Sequence, residues 1–197
     1  LDIAFRRNTR ATNERNLELV NEYAHRSVFV VSTTAPANVV ERLSGRGVEP
    51  YWFVPLVDNP ANNWSLTASM VRDAEIPAMN TGGTVGTAAW VFAHTVLKPS
   101  LVGVIGMDFG YALNTPLEQT QSYNMLKDKP DFESLYPKKE GYWGWSYTDP
   151  TYAWYMQNFL DLLKANQARI INCSGEGLLR GSGVGCMDLE QFFEYAK

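Results

Sequence analysis

Residues Asn80 to Tyr111 read NTGGTVGTAAWVFAHTVLKPSLVGVIGMDFGY. The stretch opens on a turn of small residues. The apolar, alanine-rich run Thr84 to Leu97 predicts a helix, and Leu101 to Ile105 predicts a short buried strand. That strand ends in Gly106-Met107-Asp108-Phe109-Gly110. A helix feeding a buried strand that ends in a carboxylate is the repeating element of an alternating α/β fold.

Reading outward, the same rhythm continues. Upstream, Ala11 to His25 is polar with spaced apolar residues and predicts a surface helix. Ser27 to Ser32, SVFVVS, is a β-branched apolar run and predicts a buried strand. Ala35 to Leu43 places Val39, Val40 and Leu43 on one helical face, with Gly45 as a stop. Pro50 to Val57, PYWFVPLV, predicts a strand whose Pro55 points to a sheet edge or an irregular end. Asp58 to Asn63 is turn-rich, a helix follows from about Ser65 to Asp73, and Ala78 to Gly83 reads as loop. Downstream, Tyr111 to Pro150 is rich in Tyr, Trp, Pro and Lys and lacks periodicity, which predicts a lid, a substrate loop or an insertion. Thr151 to Ala165 predicts a helix and Ala168 to Asn172, ARIIN, a strand. Gly175 to Gly185 is glycine-rich, and Met187 to Ala196 closes as a helix. The alternation predicts a three-layer α/β/α Rossmann-like fold with a mainly parallel sheet. One such domain spans 1–197, with the aromatic-rich insertion at 111–150.

Composition bounds the function. The 197 residues are 45% hydrophobic and 19% charged, which suits a folded domain. Seventeen basic against 21 acidic residues leave a net charge of −4, the wrong sign for a nonspecific nucleic-acid binder. Two cysteines cannot make a disulfide framework, and two histidines exclude a histidine-rich metal site. A carboxylate-held Mg²⁺ stays open. No run approaches the roughly 18 apolar residues of a membrane span. The start, LDIAFRRNTR, has no apolar leader core, so the expectation is a soluble, cytoplasmic chain. It starts at Leu1 rather than Met, so N-terminal truncation is expected too. The aromatic segment and the Trp90–Phe92 helix face suit core packing or a homodimer.

Ligands on parallel sheets sit beyond the carboxyl ends of the strands, so the loops there supply the candidates. Asn80-Thr81-Gly82-Gly83-Thr84 opens a helix, where free N–H groups and the helix dipole favour phosphate. Its plainer reading is a helix cap after a tight turn. It is neither a Walker A motif nor a GxGxxG fingerprint. Asp108 can hold a ribose hydroxyl or Mg²⁺, act as a base, or cap a turn. Asn172 in Asn172-Cys173-Ser174-Gly175-Glu176-Gly177 can bond a base or sugar, or serve a glycine-built loop. Cys173 reads as a small buried residue, and Ser32-Thr33-Thr34 and Asp58-Asn59 are weak signals. Tyr142-Trp143-Gly144-Trp145-Ser146-Tyr147 can stack on a sugar or base, or pack onto the domain.

The stretch Asn80 to Tyr111, with its small-residue turn, Ala-rich helix, apolar strand and GMDFG, resembles the core of the MptE-like family. That group includes 6-hydroxymethylpterin diphosphokinases and Maf flagellin glycosyltransferases. Bacterial sialyltransferases that use CMP-sialic acid show a similar segment. The clear match covers about 30 residues and its motifs are specific to a superfamily rather than a reaction. The resemblance implies that Thr81, Gly82, Gly83 and Thr84 lie at a nucleotide phosphate or sugar. It implies that Asp108 and Tyr111 line the same cleft, with Asn172 a further candidate. Family members carry an earlier Gly-Pro-Ser-Leu loop that this chain lacks. Where the sialyltransferases place a histidine base, this chain reads Tyr147-Thr148-Asp149-Pro150, which leaves Asp149 as the available base.

The expected function is a nucleotide-dependent transferase with Asp108, Tyr111 and Asp149 as catalytic candidates. Asn80, Thr81, Gly82, Gly83, Thr84 and Asn172 are expected to hold the nucleotide. Either pyrophosphoryl moves from ATP or CTP with Mg²⁺ on Asp108, or a glycosyl group moves from a CMP-sugar or similar donor. The acceptor is a small molecule or a glycan. The rival from another class is a non-catalytic Rossmann-like ligand-binding domain, favoured by the missing loop and base. An NAD(P)-dependent dehydrogenase would follow from fold class alone, and the missing GxGxxG counts against it.

Overall fold

The computed structural model describes residues 18–197. The start of the predicted helix Ala11–His25 and the LDIAFRRNTR segment lie outside those residues. The fold is mixed α/β, and its strands form three three-stranded sheets, two of them parallel. The chain divides into two compact units, the first ending at Thr81 and the second running from Gly82 to Lys197.

In the first unit, residues 18–23 are helical and Ala24–Arg26 forms a 3-10 turn. Three parallel strands follow, β1 (Val30–Ser32), β2 (Tyr51–Pro55) and β3 (Ala78–Met79), in the order β1-β2-β3. Helix α1 (Ala37–Ser44) buries Val39 and Leu43 with Val20 and Ala24, and Phe29, Val31 and Val48 pack on that cluster. Pro55 ends strand β2 in register with Met79, and β2 is the central strand, so the proline marks a strand end and not a sheet edge. The predicted loop Ala78–Gly83 begins with β3, a correction to the sequence reading. Two residues show no alternation, and their strand character comes from pairing with Val54 and Pro55.

Helix α2 (Leu66–Ala74) is capped twice. Ser65 Oγ accepts from Ala68 N at 2.9 Å. The Asp58 carboxylate accepts from Ser65 Oγ at 2.6 Å, Leu66 N at 2.7 Å and Thr67 N at 3.2 Å. Asp58 therefore has a structural role, satisfying helix N–H groups that would otherwise lack partners. The Ser65 hydroxyl first, then Thr67 and the backbone amides, hold its pKa down at about 2. A carboxylate depressed on folding contributes stability above its unfolded pKa of roughly 4 and loses it as pH falls through the folded value. Acid titration followed by circular dichroism should thus show stability lost between about pH 4 and pH 2, and Asp58→Asn should flatten that part of the curve.

The second unit runs α3 (Val85–Phe92), β4 (Gly103–Val104), β5 (Tyr111–Ala112), α4 (Tyr123–Leu126), β6 (Lys138–Glu140) and β7 (Trp145–Tyr147). It continues with α5 (Pro150–Ala165), β8 (Ile170–Asn172), β9 (Val184–Cys186) and α6 (Leu189–Tyr195). Strands β4, β8 and β9 form a parallel sheet in the order β4-β8-β9. The core sits between it and the helices: Phe159, Leu163, Ile170 and Leu179 are fully buried, and Trp90 and Phe109 pack on Phe159 at ring distances of 5.4 and 6.2 Å. Helix α3 widens into a π-helical turn over Ala93–Leu97, where Thr95 Oγ1 donates to Val91 O at 2.6 Å. There His94 stacks on Trp90 at 5.0 Å.

The 111–150 segment is not irregular throughout. It holds an antiparallel sheet ordered β5-β7-β6, with Tyr111 facing Tyr147 and Lys138 facing Tyr147 from the other side. Each strand has two or three residues, too few for a period to show. The glycine-rich stretch Gly175–Gly185 likewise runs into a strand, β9. Gly185 fits there because Ile171 of the neighbouring strand fills the place of its side chain, 2.8 Å from where a Cβ would stand.

Candidate functional site

Strands β4 and β8 run parallel with Val104 beside Asn172, so the loops leaving them emerge side by side. Cys173 N donates to Val104 O at 2.8 Å and continues the pairing one step further. The first loop carries Asp108 and the second Ser174 and Glu176. They are tied at two points: Gly106 N donates to Ser174 Oγ at 3.0 Å, and Leu178 N donates to Asp108 O at 2.7 Å. Gly177, at φ +88°, lies against Asp108, where a Cβ would come within 2.5 Å of the Asp108 Cα. Gly141, between β6 and β7, in turn sits against the Gly177 carbonyl. Three chain segments therefore meet at backbone distance, which glycine alone permits.

Asp108 is half-buried, and its Oδ1 is out of reach of solvent with no hydrogen-bond partner. Burial pushes its pKa up, the Glu176 carboxylate adds to the shift, and the Ser174 hydroxyl works against it. A buried polar atom without a partner is costly, and a ligand supplying the missing partner recovers that cost. The start of α3 adjoins the same loop, since a Cβ on Gly86 would stand 3.3 Å from the Met107 side chain.

Asn172 is fully buried. Its Nδ2 donates to Leu179 O and its Oδ1 accepts from Ser174 N, both at 3.0 Å. Its amide is thus committed to the loop itself.

The glycine turn before α3 is occupied by packing and capping. Asn80 and Thr81 close the first unit just after β3, and Gly82 opens the second. Thr84 is the N-cap of α3: its Oγ1 accepts from Thr87 N, and Thr87 Oγ1 accepts from Thr84 N, each at 3.1 Å. Gly82 and Gly83 have φ of +60° and +95°. A Cβ on Gly82 would meet Thr87 and Leu162, and one on Gly83 would meet Tyr155 and Trp154. Close approach to α5 thus already requires both glycines.

Tyr111 and Asp149 are brought together with each other. Tyr111 Oη donates to Asp149 Oδ2 at 2.7 Å and accepts from Gln121 N at 3.1 Å. Its ring stacks on Tyr152 at 4.9 Å. Asp149 is 1% exposed, and its Oδ1 caps α5 by accepting from Tyr152 N at 2.8 Å. Burial first, then the bond to Asp149, hold the Tyr111 phenol well above its ordinary pKa. Both Asp149 oxygens have donors, and Pro150 follows at the first helical position, where its missing N–H costs nothing.

Cys173 is buried and burial pushes its thiol pKa up, away from the thiolate that a nucleophile needs. For Mg²⁺, the carboxylates at the site are Asp108 and Glu176, and no group of three or more His, Cys, Asp and Glu gathers among the described residues. Magnesium keeps several waters in an open octahedral shell. The covered Asp108 Oδ1 offers no place in such a shell, so an ion here would rest on the other Asp108 oxygen, on Glu176 and on substrate phosphates.

Sequence reasoning placed Ser174, Glu176 and Gly177 in a candidate loop without giving them roles of their own, and it passed over Gly141. The available signal was the run of glycines beyond β8, since glycines after a parallel strand mark close backbone approach. Among the described residues no helix is long and apolar enough to cross a membrane. Comparison with protein-family models, curated proteins and solved structures finds no match.

Proposed function

We propose that the chain is a nucleotide-dependent transferase built on a three-layer Rossmann-like α/β/α arrangement, with Asp108 as its ligand-holding carboxylate. One observation carries the reading: Asp108 stands beyond the carboxyl ends of two paired parallel strands and keeps one buried oxygen without a partner. That end of a parallel sheet is where such folds bind nucleotides, and a ribose hydroxyl is a donor of the kind Oδ1 lacks. The contact of Gly86 with Met107 puts the start of α3 beside the same loop, so phosphate at a helix N-terminus and ribose at Asp108 belong to one ligand. Catalysis would rest on positioning and on charge stabilisation at the phosphate, whether the group moved is pyrophosphoryl or glycosyl.

A thermal-shift panel with CMP, CTP, ATP, UDP-sugars and NAD(P)H, each with and without Mg²⁺, tests this. A ligand at 100 times its Kd stabilises by about 2.7 kcal/mol, which for a chain of this size is a rise of roughly 5–10 °C. The expected result is a shift with a cytidine or adenosine nucleotide that Asp108→Asn reduces by more than half. Equal shifts in both proteins would overturn the role of Asp108. A shift with NAD(P)H alone would replace the transferase by a dehydrogenase.

A second reading, binding without turnover, is favoured by the state of Asp149. Its carboxylate is 1% exposed and holds Tyr111 on one oxygen and the α5 cap on the other, so it is not presented to an acceptor. Chromatography of nucleotide incubated with protein and candidate acceptors separates the two, because a binding domain leaves the nucleotide intact.

A further inference from the structure

We infer that Asn172 is a positioning residue whose buried side chain pins the Ser174–Leu178 loop down as a cover over the Asp108 carboxyl. Its functional meaning rests on the reading of Asp108 as the ligand-holding group. Its geometry stands on hydrogen bonds alone.

One amide ties both ends of the loop, Oδ1 at Ser174 N and Nδ2 at Leu179 O. Asparagine supplies an acceptor and two donors on one short side chain, and a fully buried site demands that they be used. Between the two ties the loop is pressed onto the 106–108 backbone through Ser174 Oγ, Gly177 and Leu178 N. Its tip, Gly175 and Glu176, is exposed. The tip is flanked by Gly175 at φ +75° and Gly177 at φ +88°, conformations that glycine adopts without strain.

Two consequences follow. The loop lies against the Asp108 backbone and Cβ, the Asp108 Oδ1 is out of solvent, and burial is the largest cause of its raised pKa. Glu176 is the charged group that acts on Asp108, and it sits on the cover itself. A ligand hydroxyl reaches Oδ1 only once the tip has moved, so Asn172 sets how often the site is open.

The test uses the full chain with ¹³C-labelled aspartate, Asp108→Asn assigning the resonance. Three quantities are read: the titration midpoint of the Asp108 carboxyl, the hydrogen-exchange rate of the Leu178 amide, and CMP association by stopped flow. In the unaltered protein Asp108 should titrate above exposed aspartates. In Asn172→Ala the midpoint should fall back towards theirs, Leu178 should exchange at least tenfold faster, and CMP should associate and dissociate faster. Glu176→Gln should lower the midpoint while leaving Leu178 exchange unchanged, which separates charge from cover. Should Asn172→Ala fail to fold, Asn172→Ser keeps a hydroxyl near Ser174 N and is expected to give smaller changes in the same directions. A folded variant with unchanged midpoint and exchange overturns the inference, as does an ordinary midpoint in the unaltered protein. Changed midpoint and exchange without CMP binding to any form would sustain the positioning role and remove CMP as the ligand of the site.

Discussion

Gly177→Ala is expected to cost about 3 kcal/mol or more, from roughly 1–2 for a non-glycine residue at positive φ and 1–3 for overpacking. The new methyl would stand 2.5 Å from Asp108 Cα, 2.6 Å from its Cβ and 2.7 Å from its carbonyl oxygen. None of these is the far end of a flexible side chain. The loop cannot retreat easily, because Leu178 N is bonded to Asp108 O and Gly141 is seated on the Gly177 carbonyl from the other side. The melting temperature should fall by roughly 6–12 °C at 2–4 °C per kcal/mol. Gly106→Ala is the control. It has φ +72° but nothing within 4 Å of its Cβ position, so it should show only the conformational cost of about 1–2 kcal/mol. Equal melting temperatures for the two variants, read by calorimetry, would mean that the close approach at Gly177 carries no weight.

The glycine was readable in the sequence; the reason for it was not. Elements with long periodic patterns were legible: α5 lies within one residue of its predicted span, and α1 and α2 within two. Their apolar spacing and caps are local properties. The strands were legible as apolar runs but shorter than expected. Ser27–Ser32 supplies only Val30–Ser32 to β1, and Leu101–Ile105 only Gly103–Val104 to β4. Pairing depends on the neighbouring strand, which a single run does not reveal. Strands β3, β5, β6, β7 and β9 have two or three residues each, and their character comes from register with a partner strand rather than from a pattern of their own. The site shows the same division. Asp108 was legible because a carboxylate after a buried strand is a local pattern. That Asn172 turns its amide on its own loop, or that Thr84 and Thr87 cap each other, follows from where the side chains point. The two glycines of the Asn80–Thr84 turn illustrate the limit. Phosphate approach and packing against Trp154, Tyr155 and Leu162 demand the same residue type, and only the second demand is visible in the contacts.

Asp149→Ala should be the most damaging substitution of a side chain in the second unit outside its hydrophobic core. Removing the carboxylate takes the N-cap from α5, worth about 1 kcal/mol. It also strands the buried Tyr111 hydroxyl, at about 1–3 kcal/mol, so the sum is about 3 kcal/mol. Tyr111→Phe should cost less, because the helix cap survives and the loss is one bond to a charged group, about 1.5–3 kcal/mol. If the two side chains act as one unit, the double variant should fall short of the summed losses by about 1–2 kcal/mol. Strict additivity in urea titrations would show that the bond at 2.7 Å contributes nothing of its own. The same contact fixes an alkaline signature. The Tyr111 phenol is held above its ordinary pKa, so it binds its proton more tightly folded than unfolded. Its contribution is complete below the unfolded value of about 10 and is lost as pH rises beyond it. Absorbance titration at tyrosinate wavelengths should therefore show one phenol that ionises only as the fold is lost, and Tyr111→Phe should remove that late step. Persistence of the late step in Tyr111→Phe would assign it to another buried tyrosine, with Tyr136 and Tyr147 next in line because burial raises both. A carboxylate that closes a helix and accepts from a part-buried phenol at once is held by two demands that neither Asn nor Glu meets together. Asn brings donors to a hydroxyl that must itself donate, and Glu is too long for a cap at 2.8 Å.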